Sequence, residues 1–297
     1  MNKIGVVIVT YNRIEKLKKA LDSYESQNRK PAYILVVDNG STDGTANYIE
    51  DWMERQEEIQ HKGIILKENL GGSGGYYKGL QFAKDLDAEW IWVADDDAYI
   101  ALDGIEILEK WIERLKKKKV AAICGSVWRK GKIDTWHRRR VIKKWYGILE
   151  ERVSEEEYKK DIFFITLFSY VGTALSKEAL IQAGLPNRDY FIAYDDSEHS
   201  YRIRKQGKIC CIPSIKIIHD TNLTTGFTWK TYYNIRNKIH AYIQHMGKKQ
   251  AILQSGYYFI RYIFQKKKIR QLIKDAIWDA WKQDMGFHQK YNLEWKE

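Results

Sequence analysis

Over its first hundred residues the chain alternates between short apolar runs and amphipathic stretches. Ile4 to Thr10 (IGVVIVT) is continuous, apolar and rich in β-branched residues, the pattern of a strand buried on both faces. Arg13 to Ser26 follows, with Leu17, Ala20, Leu21 and Tyr24 recurring at three- and four-residue spacing, which predicts a helix with one buried stripe. Tyr33 to Val37 predicts a second buried strand and is closed by the turn-rich DNGSTDG. Thr45 to Glu57 predicts a helix, Gly63 to Leu66 a short strand, and Gly75 to Leu86 another helix. Trp90 to Ala94 predicts a strand that runs into three aspartates. Strands alternating with helices in this way imply a Rossmann-like, mostly parallel sheet flanked by helices.

Beyond Asp103 the pattern predicts a helix ending at Lys116 to Lys119 and a strand over Val120 to Cys124. Arg129 to Glu157 is polar and charged and yields no assignment. Phe163 to Leu175 resumes strand character, and Lys208 to His219 contains one more strand. From Phe227 onward the periodicity is helical, broken near Gly247 and near Lys266 to Lys268. Residues 1–225 therefore read as one α/β domain and residues 226–297 as a helical C-terminal appendage.

Composition narrows the class. Fifty Lys and Arg against thirty-nine Asp and Glu leave a net charge of +11, which favours anionic partners: nucleic acid, an anionic membrane surface or phosphorylated small molecules. The eleven Trp and twenty Tyr suit sugar rings and nucleobases, and equally a packed core or an interface. Cys124, Cys210 and Cys211 lack metal-ligand spacing and read as small buried hydrophobes of a reducing compartment. Met1-Asn2-Lys3 runs straight into the first strand without a leader pattern, and no apolar run reaches the length of a membrane span. The expectation is a cytoplasmic protein able to lie against the inner face of the membrane.

In doubly wound sheets ligands bind beyond the carboxyl ends of the strands. Thr10-Tyr11-Asn12, Asp38-Asn39-Gly40 and Asp95-Asp96-Asp97 all fall there. Three adjacent carboxylates repel one another unless cations neutralise them. If the strand continued, Asp95 and Asp97 would point to one side and could share a hard divalent ion; the alternative is a solvated acidic turn. Asp38 could accept bonds from a base or ribose, although its loop, with Ser41, Thr42 and Asp43, also reads as ordinary helix capping.

Asn69 to Gly75 (NLGGSGG) offers backbone N–H groups to an anion at a helix start, or is simply a flexible turn. It is neither a dinucleotide fingerprint, since Tyr77 stands at the third glycine position, nor a Walker loop, since Leu80 follows Gly79. Tyr194 to Arg202 (YDDSEHSYR) is a second acidic cluster expected to open a helix, with Glu198 and Arg202 spaced to pair along it. Two successive acids near a cleft also meet the requirement for a general base. His219 reads as a metal ligand or as a strand-end histidine. The basic stretches Lys116 to Lys119, Arg138 to Lys144 and Lys266 to Arg270 read as solvated faces. The last of these lies among aromatic amphipathic segments that suit a membrane surface or an oligomer interface.

Taken together, VVIVTYNR (Val6 to Arg13), VVDNGSTDGT (Val36 to Thr45), NLGGSGGYYKG (Asn69 to Gly79), WVADDDA (Trp92 to Ala98) and YDDSEHSYR resemble glycosyltransferase family 2, in the same order, across about 200 residues. The resemblance implies a nucleotide-binding domain of the GT-A type. The double-glycine loop, the aspartate triplet and WKTYYNIRN (Trp229 to Asn237) look like galactofuranosyltransferases and their rhamnosyltransferase relatives. By that similarity Thr10, Tyr11, Arg13, Asp38, Asn69, Gly72, Gly75, Asp95 and Asp96 would bind the donor. Asp95, Asp97 and His219 would ligate Mn²⁺ or Mg²⁺, and Asp196 would be the catalytic base.

The implied reaction is inverting transfer from UDP-galactofuranose, or alternatively dTDP-rhamnose, to a bacterial surface glycan or lipid-linked saccharide of the cell envelope. His199 and Ser200 stand where relatives vary, and residues 129–157 match nothing and are expected to help form the acceptor site. A sugar nucleotidyltransferase would carry glycine in the loop after the first strand, where Thr10-Tyr11-Asn12-Arg13 has none. A nucleic-acid-binding module would explain the charge but not two acidic clusters. No nucleic-acid partner is therefore expected.

Overall fold

The structure, a computed structural model, describes residues 2–55, 58–145, 147–222 and 226–295. Its first half is strand–helix alternation: β1 (Ile4–Thr10), α1 (Ile14–Glu25), β2 (Tyr33–Asp38), α2 (Thr45–Met53), β3 (Gln60–Ile65), α3 (Gly71–Ala83) and β4 (Trp90–Asp95). The middle runs β5 (Ala98–Ile100), α4 (Gly104–Leu115), β6 (Val120–Arg129), β7 (Lys132–Ile133), β8 (Arg138–Lys144), β9 (Gly147–Arg152), β10 (Phe163–Ile165), β11 (Leu167–Phe168) and β12 (Thr173–Ser176). Helices α5 (Lys177–Ala183) and α6 (Asp195–Ile203), strand β13 (Lys208–His219) and helices α7 (Trp229–His245), α8 (Lys248–Arg261) and α9 (Lys267–Lys282) complete it.

Strands β3, β2, β1 and β4 are neighbours and parallel. Strand β12 runs antiparallel between β4 and β6, β13 is parallel to β6, and β10 closes the edge antiparallel to β13. The result is one large, mostly parallel sheet flanked by helices. The fully buried runs of β1 and β2 are what strands covered by helices on both faces require. One core cluster packs α1, α2 and α4 on one face, and another packs α3 and α5 on the other.

Helix α3 lies close to the sheet because its contact face is glycine. A Cβ on Gly75 would stand 2.5 Å from Cγ1 of Val9, and one on Gly79 2.7 Å from Cγ1 of Val7. The helix starts at Gly71, four residues before the expected Gly75. Its orphan N-terminal donors are taken up: Leu70 N–H donates to Asn39 Oδ1 (3.1 Å) and Ser73 N–H to the Phe191 carbonyl (3.0 Å). The end of the helix expected over Thr45 to Glu57, and the boundary drawn at residue 225, lie outside the described residues.

Residues 129–157 form β7, a 3₁₀ turn over Thr135–His137, and the β8–β9 hairpin, which with β11 makes a second, three-stranded sheet. The run Arg138 to Lys144 is not a solvated face throughout. Arg138 is fully buried, and its guanidinium donates to the carbonyls of Gly125 (3.0 Å), Val171 (2.8 Å) and Gly172 (2.9 Å). Arg139 is half-buried, paired with Glu150 (2.7 Å). A string of like charges in the sequence conceals that its first two members satisfy carbonyls and a carboxylate inside the protein.

The three cysteines are buried and free. Helices α7, α8 and α9 build a further aromatic core around Tyr232, Tyr233, Tyr242 and Tyr291, joined by Phe191. Among the described residues no helix is long and apolar enough to cross a membrane.

Candidate active site

Strands β1 and β4 end side by side, so Thr10 and the aspartate triplet meet at the rim of the sheet. Only Asp95 remains in the strand; Asp96 and Asp97 form the turn into β5. The turn separates the three carboxylates. Asp96 accepts from Thr10 Oγ1 (2.8 Å) and Arg13 Nη1 (3.1 Å), and the same Arg13 atom stands 3.0 Å from Asp97 Oδ2. Asp95 accepts from the Tyr76 hydroxyl of α3.

The pairing of β13 with β5 brings His219 opposite Ala98, and its Nε2 lies 3.3 Å from Asp97 Oδ1. One ligand atom from each of Asp95, Asp97 and His219 lies within 4.8 Å of the others. His219 Nδ1 is buried without a partner among the described residues. Two carboxylate oxygens and an imidazole nitrogen are a donor set that suits Mn²⁺ or Mg²⁺, so the residues present fit a divalent ion. Burial pushes Asp95 up, reinforced by Asp97, and carries Asp96 to about 6. Asp97 is likewise buried, yet its bonds to His219 and the charge of Arg13 hold it below the usual carboxylate range.

These groups line a cleft of about 1420 Å³, together with Tyr11, Asn69, Gly72, Asp195, Asp196 and Lys230. Asn39 fixes the glycine loop to β2 through Asn69 Oδ1 (3.0 Å) and the Gly71 carbonyl (2.9 Å). Gly71 has φ +73°, and a Cβ there would sit 1.9 Å from the Phe191 carbonyl oxygen, so only glycine fits. At Gly72 a Cβ would meet nothing within 4 Å, which leaves its backbone open to the cleft. Two expected donor residues stand apart. Gly75 packs on Val9, and Asp38 is fully buried, accepting from Ser41 N–H (3.1 Å) with its second oxygen unpaired among the described residues.

The second acidic cluster opens α6, as its pattern predicts, and Glu198 pairs bidentately with Arg202 (2.7 and 2.8 Å). Burial raises Asp195 strongly, with Asp196 adding to it. Asp196 is also raised by burial, against the charge of Arg139. Asp196 Oδ1 accepts from the Ser197 hydroxyl (3.0 Å), which in turn accepts from Arg139 Nη2 (2.5 Å).

Several groups on the cleft were not singled out from sequence. Tyr76 packs on Tyr170 with ring centroids 4.4 Å apart, and Trp229, Phe287 and Leu293 come from the C-terminal region. Lys230 has its basicity lowered by burial and by Arg13. Trp229 and Lys230 open the WKTYYNIRN segment and Tyr76 lies in NLGGSGGYYKG, so a signal was present; Tyr170 and Phe287 carry none beyond being aromatic.

A parallel sheet whose strand ends carry a carboxylate–histidine cluster, with a glycine-rich helix start beside it, is the GT-A arrangement of glycosyltransferases. The chain matches the family described as Glycosyl transferase family 2 over residues 5–183 and belongs to that family.

Among curated proteins, the galactofuranosyltransferase GlfT1 of Mycobacterium tuberculosis is 27% identical over 69% of this chain and 65% of its own length. The dTDP-rhamnosyl transferase RfbF of Shigella flexneri is 27% identical over 80% of this chain and 78% of its own. The match to GlfT1 of Mycolicibacterium smegmatis, at 37% identity, covers 32% of this chain and 30% of that protein, so the matches to these galactofuranosyltransferases span from under a third to about two thirds of their length. Among solved structures, GalNAc-T7 with UDP, GalNAc and Mn²⁺ superposes with a TM-score of 0.67 at 15% identity, over 95% of this chain and 56% of that one. The Pyrobaculum calidifontis mannosyltransferase PcManGT, in complex with GDP-Man and Mn²⁺, gives 0.58 at 16% identity, over 95% and 75%. At these identities the likeness is one of fold.

Proposed function

We propose that the chain is an inverting, metal-dependent transferase that moves galactofuranose from UDP to a hydroxyl of a bacterial surface glycan or lipid-linked saccharide. The observation that carries it is the convergence of Asp95, Asp97 and His219 within 4.8 Å, on the same cleft as Asp196 and the open backbone of Gly72. The likeness to the two GlfT1 proteins favours this donor, and the likeness to RfbF makes dTDP-rhamnose the second reading.

A Mn²⁺ or Mg²⁺ held by Asp95, Asp97 and His219 would supply positive charge beside the leaving diphosphate. The rest of the work falls to the chain's own groups. Thr10 and Arg13 hold Asp96 in place, and Gly72, whose backbone is open to the cleft at the N-terminus of α3, offers its amide to a phosphate oxygen. Lys230 adds a partly desolvated cation to the same wall. Asp196, with basicity raised by burial, takes the proton from the acceptor hydroxyl as that oxygen bonds to the anomeric carbon. The bond from that carbon to the phosphate oxygen breaks, and the nucleoside diphosphate leaves from the opposite face.

A hydrolysis screen of sugar nucleotides with Mn²⁺ and Mg²⁺ tests the donor. Turnover of UDP-galactofuranose above dTDP-rhamnose is expected, and the reverse order replaces the donor by the second reading. Asp97→Ala should weaken metal-dependent donor binding in calorimetry; unchanged metal dependence removes the ligand assignment.

A further inference from the structure

From Thr221 to Lys274 the chain contains no Asp or Glu and eleven Lys or Arg. That segment carries a charge equal to the net charge of the whole protein, and it includes α8. An amphipathic helix in a globular protein turns its apolar stripe inward. Helix α8 and the turn after it do not. Leu253, Tyr257, Ile260 and Phe264 recur at four-, three- and four-residue spacing, one face of a helix, and all are exposed, Ile260 by 71% and Phe264 by 98%. Ile252, Phe259 and Ile263 flank them, also exposed, while the buried residues of the helix are only Ala251 and Tyr258.

The β8–β9 hairpin extends this face. Ile148 N–H donates to Gln250 Oε1 (3.2 Å), and a Cβ at Gly147 would stand 3.9 Å from Leu253 Cδ1. The tip of the hairpin is therefore beside the stripe, and it carries exposed Lys143 and Lys144 and a Trp145 that is 95% exposed. Lys248, Lys249 and Arg261 lie on α8 itself and Lys266, Lys267, Lys268 and Arg270 follow it, all exposed. Arg261 folds back over the rings of Tyr257 and Tyr262, both 5.5 Å away, in the manner of a side chain that keeps its charge in a polar layer above an apolar one.

We infer that this surface, the outer stripe of α8 with the β8–β9 tip, docks the protein on an anionic lipid bilayer. An exposed apolar stripe rimmed by cations, in a segment with no Asp or Glu from Thr221 to Lys274, matches the boundary between acyl chains and acidic headgroups. A second copy of the chain would bring the same cations face to face, with no acid in the segment to neutralise them. Among the described residues no helix can span the bilayer, so the surface lies on the membrane and does not cross it. The inference does not depend on which sugar is transferred or which residue is the base.

The full chain, without donor or acceptor, is sedimented with vesicles of phosphatidylcholine alone and of phosphatidylcholine mixed equally with phosphatidylglycerol. Pelleting with the mixed vesicles only is expected, falling as salt rises. The pair Ile260→Ser and Phe264→Ser should weaken it by about tenfold or more, with far-ultraviolet dichroism and transfer to a soluble acceptor unchanged. Failure of the wild type to pellet with the mixed vesicles overturns the inference. So does pelleting that is unchanged in the double variant, or a dimer in sedimentation velocity that this variant abolishes while vesicle binding persists.

Discussion

The side-chain amide nitrogen of Asn237 lies 2.8 Å from the carbonyl oxygen of Ala193, and 3.0 Å from those of Tyr190 and Ile192. Phe191, Ala193 and Tyr194 have φ of +63°, +67° and +68°, a region that non-glycine residues enter at about 1–3 kcal/mol each. Asn237 and its neighbour Arg236, which also donates to Tyr190 (3.2 Å), hold this strained segment from α7. The segment leads directly into Asp195 and Asp196, and Phe191 accepts the Ser73 amide at the glycine loop. Strain here is coupled to both halves of the proposed site.

Asn237→Ala therefore removes the donor that three carbonyls converge on. The expected result is a loss of roughly 1–3 kcal/mol of stability in denaturant unfolding and a fall in kcat of about tenfold or more. Nucleoside diphosphate affinity should fall as well, through the Phe191 contact with the glycine loop, but by less than kcat does. A variant that keeps full kcat would show that the segment holds its shape without α7.

Much of this was legible in the sequence, and the boundary is physical. Buried strands announce themselves as unbroken apolar runs, so β1, β2 and β4, and the polar residues at their ends, were readable. The Asp95 and Asp97 pairing was reached from strand alternation, whereas the chain achieves it by a turn after Asp95. Asp38 and Gly75 show the limit of reading sites from position alone: one is buried with Ser41, the other packs on Val9. Arg138 and Arg139 were hidden because burial of a charge depends on carbonyls and a carboxylate contributed by distant segments. The wall supplied by Phe287 and Leu293 is likewise a long-range contact with no local signature.

Asp196 and its support can be separated by two substitutions. Asp196→Asn should lower kcat by roughly 10²–10⁴-fold, the usual worth of a positioned base, and leave nucleotide binding nearly intact. Arg139→Gln acts one step away, through Ser197, and also leaves Glu150 with one cation fewer. Because Arg139 opposes the upward push of burial on Asp196, its loss should move the acidic limb of the kcat profile to higher pH. Substantial transfer by Asp196→Asn removes it from the base role, and an unmoved acidic limb removes Arg139 from its support.

The glycine loop offers a pair of contrasting tests. Gly71→Ala puts a methyl 1.9 Å from a backbone oxygen at positive φ, so a loss of about 2 kcal/mol or more is expected in thermal melting. Gly72→Ala meets open space and should leave melting within about 0.5 kcal/mol of the parent. If the donor diphosphate approaches this backbone, Gly72→Ala should still raise the KM for donor. An unchanged KM would move the diphosphate away from Gly72.

His199 makes acid stability a further readout. It is fully buried; its Nδ1 is 2.7 Å from the Tyr170 hydroxyl and its Nε2 is 2.9 Å from the Gly184 carbonyl. That arrangement satisfies a neutral ring, with Nε2 donating and Nδ1 accepting. Burial, aided by Arg202, pushes its pKa from 6.5 down to about 3. Between those values the unfolded chain binds a proton that the folded chain does not. This contribution to stability is therefore complete above about pH 6.5 and is lost as pH falls, by at most about 1.4 kcal/mol per unit. Glu198, buried but held down to about 2 by His245 and Arg202, contributes in the same direction only below its ordinary range near 4.5, and the other groups that titrate between pH 5 and pH 7, Asp96 and His219 among them, are shared by parent and variant. His199→Gln keeps a donor and an acceptor without a titrating ring, and its unfolding free energy should fall less than that of the parent between those two pH values. Equal falls would mean that the ring is protonated in the folded protein, and the Tyr170 and Gly184 contacts would then need a different assignment of donors.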